Sequence, residues 1–195
     1  MKKIFLSILA VYIVNAAAAQ AWTKKYDHVD ECICGLSLVG KGGKHGYADK
    51  DGKLVVPLIY DEALPFSEGM AAVMVNNKWG YIDSTGKVVV EPQFSEGMSF
   101  HEGMAVVSKG NLSGYINLKG HVAIPIEWGS ARGFSEGLAA VMNAKGKWGY
   151  IDPKGKAVIG FRFSFADVFT EGTARVMEGS TMYYIDNSGQ KVKNN

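Results

Sequence analysis

Four glutamates return along the chain, at Glu68, Glu102, Glu136 and Glu171, and recurrent carboxylates raise the question of general acids or calcium ligands. Paired-carboxylate chemistry needs two groups within about 10 Å in unequal environments. One acid per 34 or so residues gives a row of equivalent positions instead, so these side chains read as caps of a tight turn. The histidines attract more attention because His45, His101 and His121 stand where neighbouring periods carry Trp, Ser and Lys. A hydrolase-like centre would have to be built on them. Yet no Ser or Cys lies in a nucleophile-elbow context, no phosphate loop or dinucleotide fingerprint occurs, and no His pair has ligand spacing. No catalytic, cofactor-binding or metal residue is therefore assigned. His28, Cys32 and Cys34 offer three metal ligands, but in none of the zinc spacings. Cys32 and Cys34, two apart, read as a strained bridge or as two buried thiols.

Aromatic chemistry is the other possibility. Trp79, Trp148 and the tyrosines that follow the glycines could stack sugars, or could pack one unit on the next. Packing is the preferred reading, with each Gly leaving room for a neighbour's ring. Arg132, Arg162 and Arg175, with Met74, Met142 and Met177, vary between periods and read as a protein-facing surface. The candidate interaction residues are thus His45, Trp79, His101, His121, Arg132, Trp148, Arg162 and Arg175.

The element that must position them is a repeat. Gly46, Gly80, Gly114, Gly149 and Tyr183 share one slot at intervals of 34, 34, 35 and 34 residues, each followed by Tyr: Tyr47, Tyr81, Tyr115, Tyr150 and Tyr184. Such a period marks a stacked or ring-shaped array. Each unit reads as three short strands and a return loop. The turn between its second and third strands begins with Asp49, Asp83, Asn117, Asp152 or Asp186 and ends three residues later in Gly. This is type I turn chemistry closed by a glycine bulge. In the first strand a small residue (Ser37, Ala71, Ala105, Ala139, Ala174) and a Val two further on are constant, which predicts one buried face. Tyr60, Phe94, Trp128 and Phe163, then Phe66, Phe100, Phe134 and Phe169, are placed to fill the space between units. The extra residue of the fourth interval falls at Asn143-Ala144-Lys145-Gly146, a hairpin tip.

Residues 1–21 read as a signal peptide: Lys2-Lys3, an apolar run from Ile4 to Val14, and small residues to Ala21. Residues 22–34 are a lead-in, and 35–195 one repeat domain of four cycles and a terminal hairpin. Without Lys2 and Lys3 the 21 basic residues become 19, equal to the 19 acidic ones. A balanced chain with no basic run gives no ground for expecting nucleic acid, and the mature part has no transmembrane stretch.

Phe66-Ser67-Glu68-Gly69-Met70-Ala71-Ala72-Val73 followed by Lys78-Trp79-Gly80-Tyr81-Ile82-Asp83-Ser84-Thr85-Gly86-Lys87 resembles the WG, or KWG, repeat family of bacterial proteins. The resemblance spans about residues 35–192 and departs from the pattern at His45 and Ala48, at Leu112-Ser113 and Asn117, and at Tyr183. It implies an all-β interaction module without cofactor. The expected architecture is a tandem of β-meander repeats stacked as an open solenoid-like array, the alternative being a closed propeller-like ring. The expected function is protein binding or scaffolding at the cell envelope, periplasmic or extracellular, with glycan binding through the Trp and Tyr positions as the alternative.

Overall fold

The computed structural model describes residues 22–33 and 35–192; the signal-peptide segment, Cys34 and the last three residues lie outside the described residues. Among the described residues, nineteen strands make five antiparallel sheets in chain order. The first sheet holds β1 (His28–Val29), β2 (Leu36–Lys41), β3 (Lys44–Asp49) and β4 (Leu54–Tyr60). The second holds β5 (Glu62–Ala63), β6 (Met70–Val75), β7 (Lys78–Asp83) and β8 (Val88–Phe94). The third holds β9 (Glu96–Gly97), β10 (Met104–Lys109), β11 (Leu112–Asn117) and β12 (Val122–Trp128). The fourth holds β13 (Ser130–Ala131), β14 (Ala139–Met142), β15 (Trp148–Ile151) and β16 (Ala157–Phe163). The fifth holds β17 (Phe165–Ala166), β18 (Thr173–Glu178) and β19 (Thr181–Asp186). Sequence reasoning gave three strands per unit. The start of each return loop adds a short fourth, as where Glu62 and Ala63 pair with Met74 and Val73.

The turns follow the expected chemistry. Asp83 Oδ1 accepts hydrogen bonds from the backbone N–H groups of Thr85 and Lys87 at 2.9 and 3.1 Å. Gly86 then takes a φ of 85°, a region that a side chain resists. The inserted residues at Asn143 repeat the device, with Lys145 and Lys147 donating to Asn143 Oδ1.

Burial departs from the expected single face. The variable third position of the first strand is as buried as the constant ones: Leu38, Ala72, Val106 and Ala140 are all in the core, and only Arg175 is exposed. The reason is that each inner sheet lies between two others, while Trp22 packs on Val39 and Ala48 at the outer face of the first. One face of β6 carries Ala71 and Val73 against Tyr47, Val56 and Phe66 of the first joint, while Ala72 joins Tyr81, Val90 and Phe100 against Ala105, Val107 and Ile116 in the next. The same arrangement recurs at the third and fourth joints. Arg175 lies on the last sheet, on the face that has no sheet beyond it among the described residues. The principal contacts between sheets link consecutive ones, such as β4 with β6 and β16 with β18, so the sheets form an open array.

The repeated Gly serves a purpose other than the one expected. A Cβ at Gly80 would lie 2.4 Å from the carbonyl oxygen of Val90, and one at Gly114 would lie 2.6 Å from that of Pro125. The obstacle is the backbone of the adjacent strand in the same sheet, at the register shift between β7 and β8 or between β11 and β12, and not a neighbour's ring. At the N-terminal end, Trp22 lies 2.4 Å from where a Cβ on Gly52 would be. In the later units that place against the turn glycine belongs to Val56, Val90, Ile124 or Ile159 of the preceding sheet. The Trp22 indole therefore substitutes for a preceding sheet, held by its Nε1–H donating to the Lys50 carbonyl at 3.2 Å.

Candidate interaction surface

Each joint is fastened by the same polar contacts. The hydroxyls of Tyr47, Tyr81, Tyr115 and Tyr150 donate to the carbonyls of Leu64, Met98, Arg132 and Asp167 in the following return loop, at 2.6 to 2.9 Å. Their rings meet Phe66, Phe100, Phe134 and Phe169 with centroids 4.6 to 5.3 Å apart. Burial pushes all four tyrosine hydroxyls well above the usual phenol range. The recurrent glutamates also act between units: Glu68, Glu102 and Glu136 accept from the N–H of Gly103, Gly137 and Gly172, one period ahead. Glu171 has no such partner among the described residues. Ser67 and Ser135 donate to the carbonyls of Phe100 and Phe169, each at 2.7 Å. His101, in the equivalent slot, makes no such bond; its exposed ring borders an apolar cavity of about 270 Å³ with Met98, Phe134 and Val168.

Three of the eight candidate residues converge. The Arg132 guanidinium lies over the Trp148 ring at 5.4 Å and over Phe165 at 5.2 Å, and Arg175 lies over the same Phe165 at 5.6 Å. Arg132 Nε donates to the Ala166 carbonyl at 2.7 Å, and Arg175 faces Asp167 at 3.4 Å. Arg162 stands apart, over Phe163 at 4.4 Å, where it faces Glu178 at 3.6 Å. The result is an arginine–aromatic ladder over the joint between the fourth and fifth sheets. Phe165 was missed from the sequence. Its signal is that it occupies the slot of Glu62, Glu96 and Ser130, an aromatic ring where the other units are polar.

The remaining candidates stay dispersed. Trp79 is half-buried on the second sheet, its Cβ against Gly97. His45 contacts the Asp61 carbonyl at 3.1 Å on the first sheet. His121 is exposed at the β11–β12 turn, where its backbone N–H donates to Asn117 Oδ1. His45 thus lies on the first sheet and His101 and His121 in different loops of the third, and no group of three metal-ligating side chains occurs among the described residues. Cys32 is a free, exposed thiol, contrary to the expectation of a bridge or of two buried thiols; Cys34 lies outside the described residues.

The model of the WG containing repeat matches four times, at residues 46–79, 79–112, 114–148 and 148–181. The chain belongs to this family. No curated protein matches this chain. Among solved structures it is similar to a eukaryotic initiation factor (12% identity, TM-score 0.57, covering 85% of this chain and 53% of that one). It is also similar to Hsv2 of Kluyvelomyces marxianus (12% identity, TM-score 0.53, 82% and 57% covered). A third is the computationally designed Ika8 protein (14% identity, TM-score 0.50, 85% and 60% covered). At these identities the likeness concerns fold alone, and the WG array spans about six-tenths of those chains or less. Four-stranded meanders set side by side are also the blades of propellers. Within the WG pattern, Ser113 stands in the Trp slot and Tyr183 in the Gly slot. Tyr183 donates to Glu178 Oε2 at 2.5 Å.

Proposed function

We propose that this WG array is an exported protein-binding module of the cell envelope, periplasmic or extracellular, and that the arginine–aromatic ladder of the fourth and fifth sheets is its contact surface. The carrying observation is the convergence of Arg132, Trp148, Phe165 and Arg175. Trp and Arg dominate the residues that carry binding energy at protein interfaces, because they combine a large apolar area with directed polar contacts. Two guanidinium groups on one ring favour a partner that presents carboxylates. The apolar run of residues 4–14 behind Lys2-Lys3 supports export.

The test is affinity capture with the tagged mature chain from envelope extract, run beside Arg175→Glu and Trp148→Ala variants with thermal melts of each. Arg175 is exposed, so its reversal leaves the fold intact. A partner captured by the parent chain and lost from the Arg175→Glu chain at unchanged melting supports the ladder. Equal capture by both variants overturns it.

A further inference from the structure

The third unit differs from its neighbours along one cross-strand row. In the second sheet that row reads Glu62, Met74, Trp79, Phe94, and in the fourth Ser130, Met142, Trp148, Phe163. In the third it reads Glu96, Ser108, Ser113, Trp128. Both the thioether and the indole of the pattern are replaced by hydroxymethyl groups, and the space they vacate is a cavity of about 310 Å³. Glu96, Ser108, Asn111 and Ser113 of the third sheet line it, together with Gly129 and Ser130, which lead into the fourth. Almost all of the exposed lining is polar. At this volume the cavity is at the lower end of small-molecule pockets, the size range of a single sugar ring.

Its polar groups have a defined direction. Ser108, 3% exposed, donates to Glu96 Oε2 at 3.2 Å, which uses its only proton. The 3.1 Å contact between Ser108 Oγ and Ser113 Oγ must then be a donation from Ser113 to Ser108. Two acceptors remain on the cavity side: the second carboxylate oxygen of Glu96 and the lone pairs of Ser113. Asn111 and Ser130, which have no side-chain bond to protein among the described residues, supply donors and further acceptors. Acceptors and donors together, beside a single carboxylate, match neighbouring hydroxyls, each of which donates once and accepts twice. A divalent cation would need more charge and more oxygen ligands than one carboxylate brings.

We infer that the polar cavity between the third and fourth sheets is a binding site for a neutral hexopyranose, with Glu96 and Ser113 accepting from adjacent ring hydroxyls and Asn111 and Ser130 completing the contact. The site is separate from the arginine–aromatic ladder and does not depend on it. It also differs from a ladder of Trp79 and Trp148, since it exists where the tryptophan is missing.

The test is amide NMR of the mature chain titrated with methyl α-D-glucopyranoside, methyl α-D-mannopyranoside and N-acetyl-D-glucosamine, and with ethanolamine as a cationic probe. Binding shifts the amides of Ser108, Asn111, Ser113, Gly129 and Ser130 with at least one sugar. Ser113→Trp restores the pattern of the second and fourth sheets, so it keeps the fold and abolishes those shifts. Glu96→Gln binds about tenfold more weakly, as expected for the loss of one charge-assisted hydrogen bond. Three results would overturn the inference: no saturable shift with any sugar, shifts that persist in Ser113→Trp, or a response to ethanolamine alone.

Discussion

Glu102 sits at a φ of 53° and Glu171 at 52°, in the left-handed region that costs a side chain about 1 kcal/mol or more. The first is repaid by the 2.9 Å bond to Gly137 in the next unit, whereas the second has no partner among the described residues. Replacement by Ala leaves the backbone strain as it was and removes only the carboxylate. Glu102→Ala is therefore expected to lower unfolding stability by about 1 kcal/mol and Glu171→Ala to leave it nearly unchanged, as read from denaturant midpoints. Titration tests a second set of residues. The hydroxyl of Thr85 holds the Asp83 carboxyl below its ordinary value, and that of Ser188 does the same for Asp186. A carboxyl whose folded value lies below its unfolded one contributes stability above the unfolded value, about pH 4, and loses it as pH falls further. The buried tyrosines act in the opposite direction: their folded values lie above the unfolded one, so their contribution declines as pH rises beyond about 10. Melting temperature against pH should fall at both ends, and Thr85→Ala should flatten the acid limb. An unaltered acid limb in that variant would remove Asp83 from the account.

At the scale of strands and turns, legibility depended on whether the cause was local. The Asp-x-x-Gly turns could be read because donor, acceptor and positive-φ Gly all lie within five residues. The strands could be read because their apolar residues repeat. Burial of both faces could not, because Ala72 and Val106 gain their cover from a sheet one period away and no alternation records it. The glycine beside each tyrosine was legible as constant and illegible in cause, since the close backbone approach arises only once β8 shifts register against β7. That cause is testable. A Cβ at Gly80 would lie 2.4 Å from the Val90 carbonyl oxygen and 2.7 Å from the Pro92 nitrogen, so Gly80→Ala must displace the adjacent strand. A loss of about 1 to 3 kcal/mol in chemical denaturation is expected, the usual scale of overpacking. Gly110→Ala, in an open hairpin tip with a φ of 61°, meets no atom and isolates the backbone strain alone. Equal losses at the two positions would show that strand approach is not the constraint. The arginine–aromatic ladder was legible in its arginines and in Trp148, but not in Phe165, because a ring in a two-residue strand carries no periodic signal. The sugar cavity was legible only as a departure at Ser113; that Ser108 and Glu96 stand beside it is a fact of pairing.

For the whole molecule, stability built from like sheets and like joints is close to a sum over neighbours. The joints are so nearly equivalent that one unit can be removed and the ends rejoined. Deleting residues 69–102 joins Glu68 directly to Gly103. Tyr47, Val56 and Phe66 then face Ala105, Val107 and Ile116 in place of Ala71, Val73 and Ile82, which are the same residue types in the same order. Glu68 finds the N–H of Gly137 in place of that of Gly103, and Gly120 takes the position of Gly86 against Val56. Nothing in the new joint is unlike an existing one. The shortened chain is expected to fold into four sheets, with a lower midpoint and a denaturant slope reduced by about a fifth, in proportion to the surface it no longer buries. A closed ring would respond differently, because four sheets could not meet around the same axis without changing every joint angle. Loss of cooperative unfolding in the deletion chain would therefore count against the open array, and retention of a single sharp transition with the smaller slope is what independent, nearest-neighbour joints require.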